Sequence, residues 1–165
     1  MSDTAVRDAY WVALVLLGLA TGAAAFAGAS ASVQSAAFYQ QLSKPSWAPP
    51  AQIFGPVWSV LYILMAIAAW MVIRAQGWQS ARPAMALYVI QLVLNGLWTW
   101  LFFRWRLGLL ALVEILVLWT LLLLIVRIFF RVQRLAGGLM LPYLAWVTFA
   151  AALTYSIWRR NPGIL

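Results

Sequence analysis

Few residues of this chain could do chemistry. Histidine and cysteine are absent from its 165 residues. That removes the common zinc, haem and iron–sulfur ligand sets, and with them Cys–His and Ser–His–Asp catalysis. No metal site is expected. The polar groups embedded in long apolar runs are Gln91, Asn95 and Glu114. At membrane depth such groups are costly and usually face a bundle interior. Asn95 lies ten residues before Trp105 and Glu114 nine after it. At 1.5 Å per residue, both fall about 14 Å from the centre of a tight turn there. Asn95 and Glu114 can therefore hydrogen-bond across a helical hairpin, as a clamp between helices, as a polar wall of a ligand cavity, or as both. No second acid or histidine lies at that depth, so no proton relay is expected.

Aromatic residues are the second signal. The chain has 11 Trp. Trp11, Trp70, Trp78, Trp105 and Trp158 suit the interfacial anchoring role common at span ends. Trp58, Trp98, Trp119 and Trp146 sit deeper. Helical spacing puts Gln91, Asn95, Trp98 and Phe102 on one face, Trp58, Tyr62 and Met65 on another, and Tyr143, Trp146 and Ala150 on a third. Such stripes more often pack helix against helix than line a ligand site. Their polar tips and flat faces would nonetheless suit a large planar apolar ligand.

The elements that must position these groups follow from composition. The chain is 66% hydrophobic and 8% charged, with 11 Lys+Arg against 3 Asp+Glu and a net charge of +8. Soluble domains carry about 25% charge. Disorder and an ordinary cytosolic enzyme are excluded, and so is a nucleic-acid domain, because the basic residues punctuate apolar runs rather than forming a stripe. Uncharged stretches of 35, 29, 21 and 24 residues separate Asp8 from Lys44, Lys44 from Arg74, Arg82 from Arg104 and Arg134 from Arg159. Arg106 to Arg127 brackets 20 more, broken only by Glu114. A helix crosses the hydrocarbon core with about 20 apolar residues. The expected fold is all-α, a polytopic bundle of five transmembrane helices near 10–29, 54–73, 84–103, 107–130 and 139–158, in one domain over 1–165. Period-2 alternation is missing, which excludes a β-barrel. Charges flanking the spans divide six against five, which leaves orientation open.

The first span also reads as a signal peptide, with Arg7 before it and small-residue sites at Ala27–Ala29 or Ala29–Ala31; Asp3 and Asp8 count against cleavage. The loop 30–53 contains Lys44-Pro45-Ser46-Trp47-Ala48-Pro49-Pro50, which cannot be helical throughout. A stiff aromatic loop at a helix mouth is expected to act as a lid over a cavity. Pro142 is expected near the start of the fifth span, where proline is tolerated. Gly18 and Gly22 permit close helix approach, within the monomer or in a homodimer. Leu153, Tyr155 and Arg159 match a proposed sterol-contact pattern that any helix with aromatic and basic anchors can match by chance.

The run Phe38-Tyr39-Gln40-Gln41-Leu42-Ser43-Lys44-Pro45-Ser46-Trp47-Ala48-Pro49-Pro50, then Gly55-Pro56-Val57-Trp58 and Tyr62, resembles the TspO/MBR family. These are tryptophan-rich sensory proteins related to the mitochondrial translocator protein, or peripheral benzodiazepine receptor. Asn95-Gly96-Leu97-Trp98-Thr99-Trp100 resembles that family's third-helix motif, and Leu141-Pro142-Tyr143-Leu144-Ala145-Trp146 with Ala150 its fifth. The resemblance runs from about residue 36 to 158 and implies a five-helix bundle. It also implies binding of tetrapyrroles such as protoporphyrin IX, and of sterols or benzodiazepine-type ligands, by a wall including Tyr39, Trp47, Pro49, Trp58, Tyr62, Asn95, Trp98, Trp146 and Ala150. Trp58 and Trp146 match positions tied to light-dependent porphyrin breakdown, which would make them catalytic, with porphyrin as ligand or substrate and no cofactor. Glu114 falls where many members carry an acid. Phe38 departs from a frequent Trp, and the third helix lacks a small-residue spacing that some members use to dimerise. The expected roles are binding and regulation of porphyrin levels or stress signalling, light-driven degradation, or transport, the last without inverted repeats or coupling-ion sites to support it. Lys44 or Arg104 could meet porphyrin propionates. Expected partners are a tetrapyrrole, membrane lipid including sterol, and a second copy of the chain, with no nucleic acid. With no Arg- and Ser-rich leader, the expected location is a bacterial envelope membrane.

Overall fold

A computed structural model describes residues 35–165 together with Val15, Gly18, Leu19, Thr21 and Gly22 of the first span. Among the described residues every regular element is helical. The rest of the expected first span, the cleavage sites and Trp11 lie outside them, and the count of five spans depends on that segment. The elements are α1 (Ser35–Gln41), a 3-10 turn (Ala51–Ile53), α2 (Phe54–Thr99), a π-helical turn (Trp100–Arg104), α3 (Gly108–Val132) and α4 (Arg134–Arg160). Among the described residues three helices are long and apolar enough to cross a membrane: 51–104, 108–132 and 134–160.

The first of these is two spans in one. Straight, its 54 residues would reach about 80 Å, far beyond a hydrocarbon core of about 30 Å. Gly77 breaks it, with φ 76° and ψ 160°. Only glycine takes that conformation without strain, because a Cβ would clash with the backbone. The two limbs, 54–76 and 78–99, fold back on each other, so that Tyr62 and Asn95 meet across the hairpin. Pro83 falls in the second turn of the second limb, where its missing N–H costs one helical bond to the carbonyl of Gln79.

The turn at Trp105 is as tight as its spacing predicts. Its π-helical approach ends with Trp105 N–H donating to the Trp100 carbonyl at 2.8 Å. Arg106 then takes a left-handed φ of 56°. Helix α3 opens at Gly108, where an added Cβ would sit 2.6 Å from Cδ1 of Trp158 and 2.9 Å from Cβ of Leu165. A side chain there would push α3 away from α4. A single extended residue, Gln133, joins α3 to α4. Because α4 starts at Arg134, Pro142 lies in the helix interior, deeper than the sequence spacing places it.

Two apolar cores result. The larger runs the length of the bundle through Met65, Val72, Tyr88, Leu118, Leu122, Phe129, Met140 and Val147. The smaller lies under the loop and holds Phe38, Tyr39, Leu42, Phe102, Ala111, Leu153 and Ile157. The first span joins the bundle through Thr21, whose hydroxyl meets the Tyr88 hydroxyl at 2.8 Å. Gly18 and Gly22 are exposed, with nothing within 4 Å of an added Cβ among the described residues. Close packing of this glycine pair inside the monomer is therefore corrected. Leu153 turns into the smaller core, whereas Tyr155 and Arg159 face outward. Two residues of helix turn the chain by about 200°, so these three cannot present one sterol-facing surface.

Gly77→Ala is expected to lower bundle stability by about 1–3 kcal/mol, the usual cost of forcing a side chain into a glycine-only conformation. Thermal unfolding in detergent, followed by circular dichroism, checks this.

Candidate functional site

Four polar side chains meet at the middle of the bundle, and each comes from a position where helix geometry turns it inward. Tyr62 donates to Oδ1 of Asn95 at 2.7 Å. Nδ2 of Asn95 donates to the Tyr143 hydroxyl at 3.1 Å. That hydroxyl donates to Oε1 of Gln91 at 2.9 Å. Gln91 in turn points its amide at the Met65 sulfur, 3.9 Å away. The network links both limbs of α2 to α4, and Tyr143 and Gln91 are wholly buried.

Asn95 does not pair with Glu114. Its side-chain oxygen and an amide proton are taken by the two tyrosines, and among the described residues both carboxyl oxygens of Glu114 have no hydrogen-bond partner. Tyr143 on α4 takes the Asn95 amide that the hairpin spacing offered to Glu114. Trp119 also turns out to be a helix-to-helix tie. Its Nε1 donates to the Thr148 hydroxyl at 2.8 Å.

Aromatic rings continue from this polar centre toward the loop. Trp58 lies 5.5 Å from the Tyr62 ring and 6.0 Å from that of Tyr143. One turn nearer the loop, Phe54 meets Trp146 at 6.0 Å, and Trp146 meets Phe149 at 5.3 Å. The loop closes the group from above, with Tyr39 on Phe54 at 5.5 Å and Trp47 on Phe149 at 5.8 Å. A second string runs from Phe38 to Phe103 and on to Trp98, which stacks on Phe102 at 5.3 Å. Ala150 packs against the main core beside Trp146. The structure therefore groups Trp58, Tyr62 and Asn95 around Tyr143, joins Tyr39, Trp47 and Trp146 in a second group one turn nearer the loop, and places Trp98 in the adjoining string. Phe54 and Phe149, which the sequence motifs do not mark, are the links of that second group. Phe149 stands three residues after Trp146, a spacing that could have pointed to it.

The loop is held at its foot by polar groups. Oδ1 of Asn161 accepts from Ser43 N–H at 2.8 Å, and its Nδ2 donates to the carbonyls of Ser43 at 3.0 Å and Ile157 at 2.7 Å. Nothing in the sequence pattern marks Asn161, which is 118 residues from its partner. Lys44 spends its ammonium on the carbonyls of Tyr39, Gln40 and Leu42, closing the C-terminus of α1. Its expected service to a ligand propionate is corrected accordingly: three donors already have three acceptors. The cation set over the aromatic string is Arg106, 4.8 Å above the Phe38 ring. Tyr39 donates to the Pro49 carbonyl at 3.0 Å. Burial pushes its phenol above the ordinary tyrosine range, so it stays a donor through neutral pH. Among the described residues no cluster of metal-binding side chains occurs.

Asn161→Ala removes both bonds to Ser43 and the bond to the Ile157 carbonyl, and hydrogen exchange of the 42–50 amides is expected to rise by about tenfold or more from the two loop bonds, since each net bond contributes roughly 1 kcal/mol. Mass-spectrometric exchange on the purified protein reads this directly.

A sequence model of the TspO/MBR family matches residues 11–159. Protein CrtK of Rhodobacter capsulatus is 40% identical over 160 residues, covering 92% of this chain and 96% of its own. Tryptophan-rich protein TspO of Chlorobaculum tepidum is 39% identical over 143 residues, covering 85% and 90%. The translocator protein of Homo sapiens is 38% identical over 128 residues, covering 76% of each. A match across nearly the whole length, on a bundle of membrane-crossing helices, places the chain in a family of multi-pass membrane proteins: it belongs to the TspO/MBR family.

Proposed function

We propose that the protein binds flat, largely apolar ligands between its aromatic residues beneath the loop, tetrapyrroles such as protoporphyrin IX first among them, and thereby regulates porphyrin levels or stress signalling. Sterols and benzodiazepine-type molecules share the required shape. The observation that supports this reading best is the run of rings under the loop, Tyr39 on Phe54, Phe54 on Trp146, Trp146 on Phe149 and Phe149 on Trp47, with Trp58, Tyr62 and Tyr143 grouped one turn deeper. Flat aromatic faces with few fixed polar groups are what a planar apolar ligand requires. Cations at the same end, Arg104 and Arg106, suit the propionates that such a ligand keeps toward water.

A second reading is light-dependent porphyrin breakdown. Trp58 and Trp146 each stand within van der Waals range of other rings, as redox partners of an excited pigment would. Oxygen would be the oxidant, and the two indoles would exchange electrons with the photoexcited ring.

Protoporphyrin IX added to the purified protein is expected to quench tryptophan emission saturably, and Trp58→Phe with Trp146→Phe to weaken binding about tenfold, in the range of one or two lost aromatic contacts. Unchanged wild-type emission would count decisively against binding. Under illumination, loss of the bound pigment's absorbance should slow in the double variant. Equal rates would remove the breakdown role.

A further inference from the structure

Basic side chains stand at both ends of the bundle, but they are not equally engaged. At the loop end Lys44 is held by three carbonyls, Arg106 lies over the Phe38 ring and Arg160 meets the Ser156 hydroxyl. The opposite end carries the turns at Gly77 and Gln133. Around those turns Arg74, Arg82, Arg127, Arg131 and Arg134 are all exposed. Arg74 lies over the Trp70 ring, and Arg82 donates to Gln79. Arg127, Arg131 and Arg134 make no hydrogen bond, ion pair or ring contact among the described residues. The acid among those residues, Glu114, is buried in α3 about 20 Å along the helix from Arg127. Asp3 and Asp8 lie outside them.

The 25 residues of α3 extend about 37 Å, more than the roughly 30 Å of hydrocarbon. Its last turns, with Arg127 and Arg131, therefore reach the headgroup layer. Leu116, Val117, Leu123 and Leu124 form an exposed apolar stripe on α3 that runs up to these arginines. Helical spacing keeps Leu123, Leu124, Arg127 and Arg131 on one face. The turn beyond them is stiff. Gln133 N–H donates to the Phe129 carbonyl at 2.8 Å, and Gly137 N–H to the Gln133 carbonyl at 3.1 Å. An added Cβ on Gly137 would overlap the Phe130 ring, so α3 and α4 close tightly here. The backbone that carries Arg131 and Arg134 is thereby fixed. Guanidinium groups give paired donors to phosphate oxygens, and an apolar stripe ending in such groups has the form of an acyl chain below a phosphate. We infer that Arg127, Arg131 and Arg134 bind the headgroup phosphate of an anionic phospholipid whose acyl chain lies along α3. This surface is at the end of the bundle away from the rings beneath the loop, and it stands independently of the ligand reading above.

The test titrates the full chain in mild detergent with phosphatidylglycerol, phosphatidylcholine and inorganic phosphate, and counts bound lipid by native mass spectrometry. The wild type is expected to hold phosphatidylglycerol at least about tenfold more tightly than zwitterionic phosphatidylcholine, because each arginine near the surface adds to the attraction for a net negative headgroup. Arg127→Gln combined with Arg131→Gln and Arg134→Gln abolishes that preference. Arg159→Gln combined with Arg160→Gln, at the loop end, retains it. Equal wild-type affinity for the two lipids overturns the proposal. So does a preference that survives the triple substitution, or one that is lost equally in the loop-end variant. Displacement of phosphatidylglycerol by an equal concentration of inorganic phosphate would mark a site for soluble anions and overturn the lipid assignment. The wild-type lipid comparison and the phosphate competition hold even where a variant fails to fold.

Discussion

A polar side chain inside a membrane bundle must find a partner in its own protein, because hydrocarbon offers none. In this chain that constraint is met by Tyr62, Asn95, Tyr143 and Gln91, joined end to end. The interaction does more than satisfy four groups. It fixes the rotation and the depth of three spans relative to one another, since a helix slipped by one residue would carry its polar atom away from the others. Once those spans are set, Trp58 and Trp146 have their places, and the rings between them and the loop follow.

The loop end obeys a different rule. Here the chain leaves the bilayer, and its backbone must be satisfied outside a helix. Asn161 does this in the manner of a neighbouring strand, offering both a donor and an acceptor to Ser43. Lys44 donates to three carbonyls at the C-terminal end of α1, those of Tyr39, Gln40 and Leu42. Beyond these anchors the proline-rich segment needs few bonds of its own, because each proline removes a donor and stiffens the chain. Tyr39 on α1 and Trp47 in this segment are therefore set down on the bundle at defined positions.

Much of this was legible in the residues themselves. Charge spacing located the membrane-crossing segments, since an ionised side chain cannot sit far inside hydrocarbon. The inward faces of the second, third and fifth spans were legible from helical spacing, and their polar members do meet. Partner choice was not. Residue counting from the turn gives Asn95 and Glu114 the same depth, yet depth along one hairpin says nothing about a third helix that competes for the same amide. The loop's lysine was misjudged for a related reason: a cation near a mouth is available to a ligand only if the backbone beside it has no use for it. Gly77 was hidden because a glycine between two spans is ordinary in sequence, and its role appears only when two limbs fold back on it.

The sequence by itself determined the solvent this chain lives in, the helical class of its fold, its family and the set of rings and amides that could face inward, because these depend on composition and on periodicity along one helix. Only the tertiary structure decided which of those groups touch. It joined Asn95 to two tyrosines, left the Glu114 carboxyl and Trp98 Nε1 without a hydrogen bond among the described residues, and closed the loop on Asn161 from 118 residues away. The reason is that hydrogen bonding is short-ranged and exclusive: each donor is satisfied once, and which acceptor takes it is settled by how all the helices pack together rather than by any one of them.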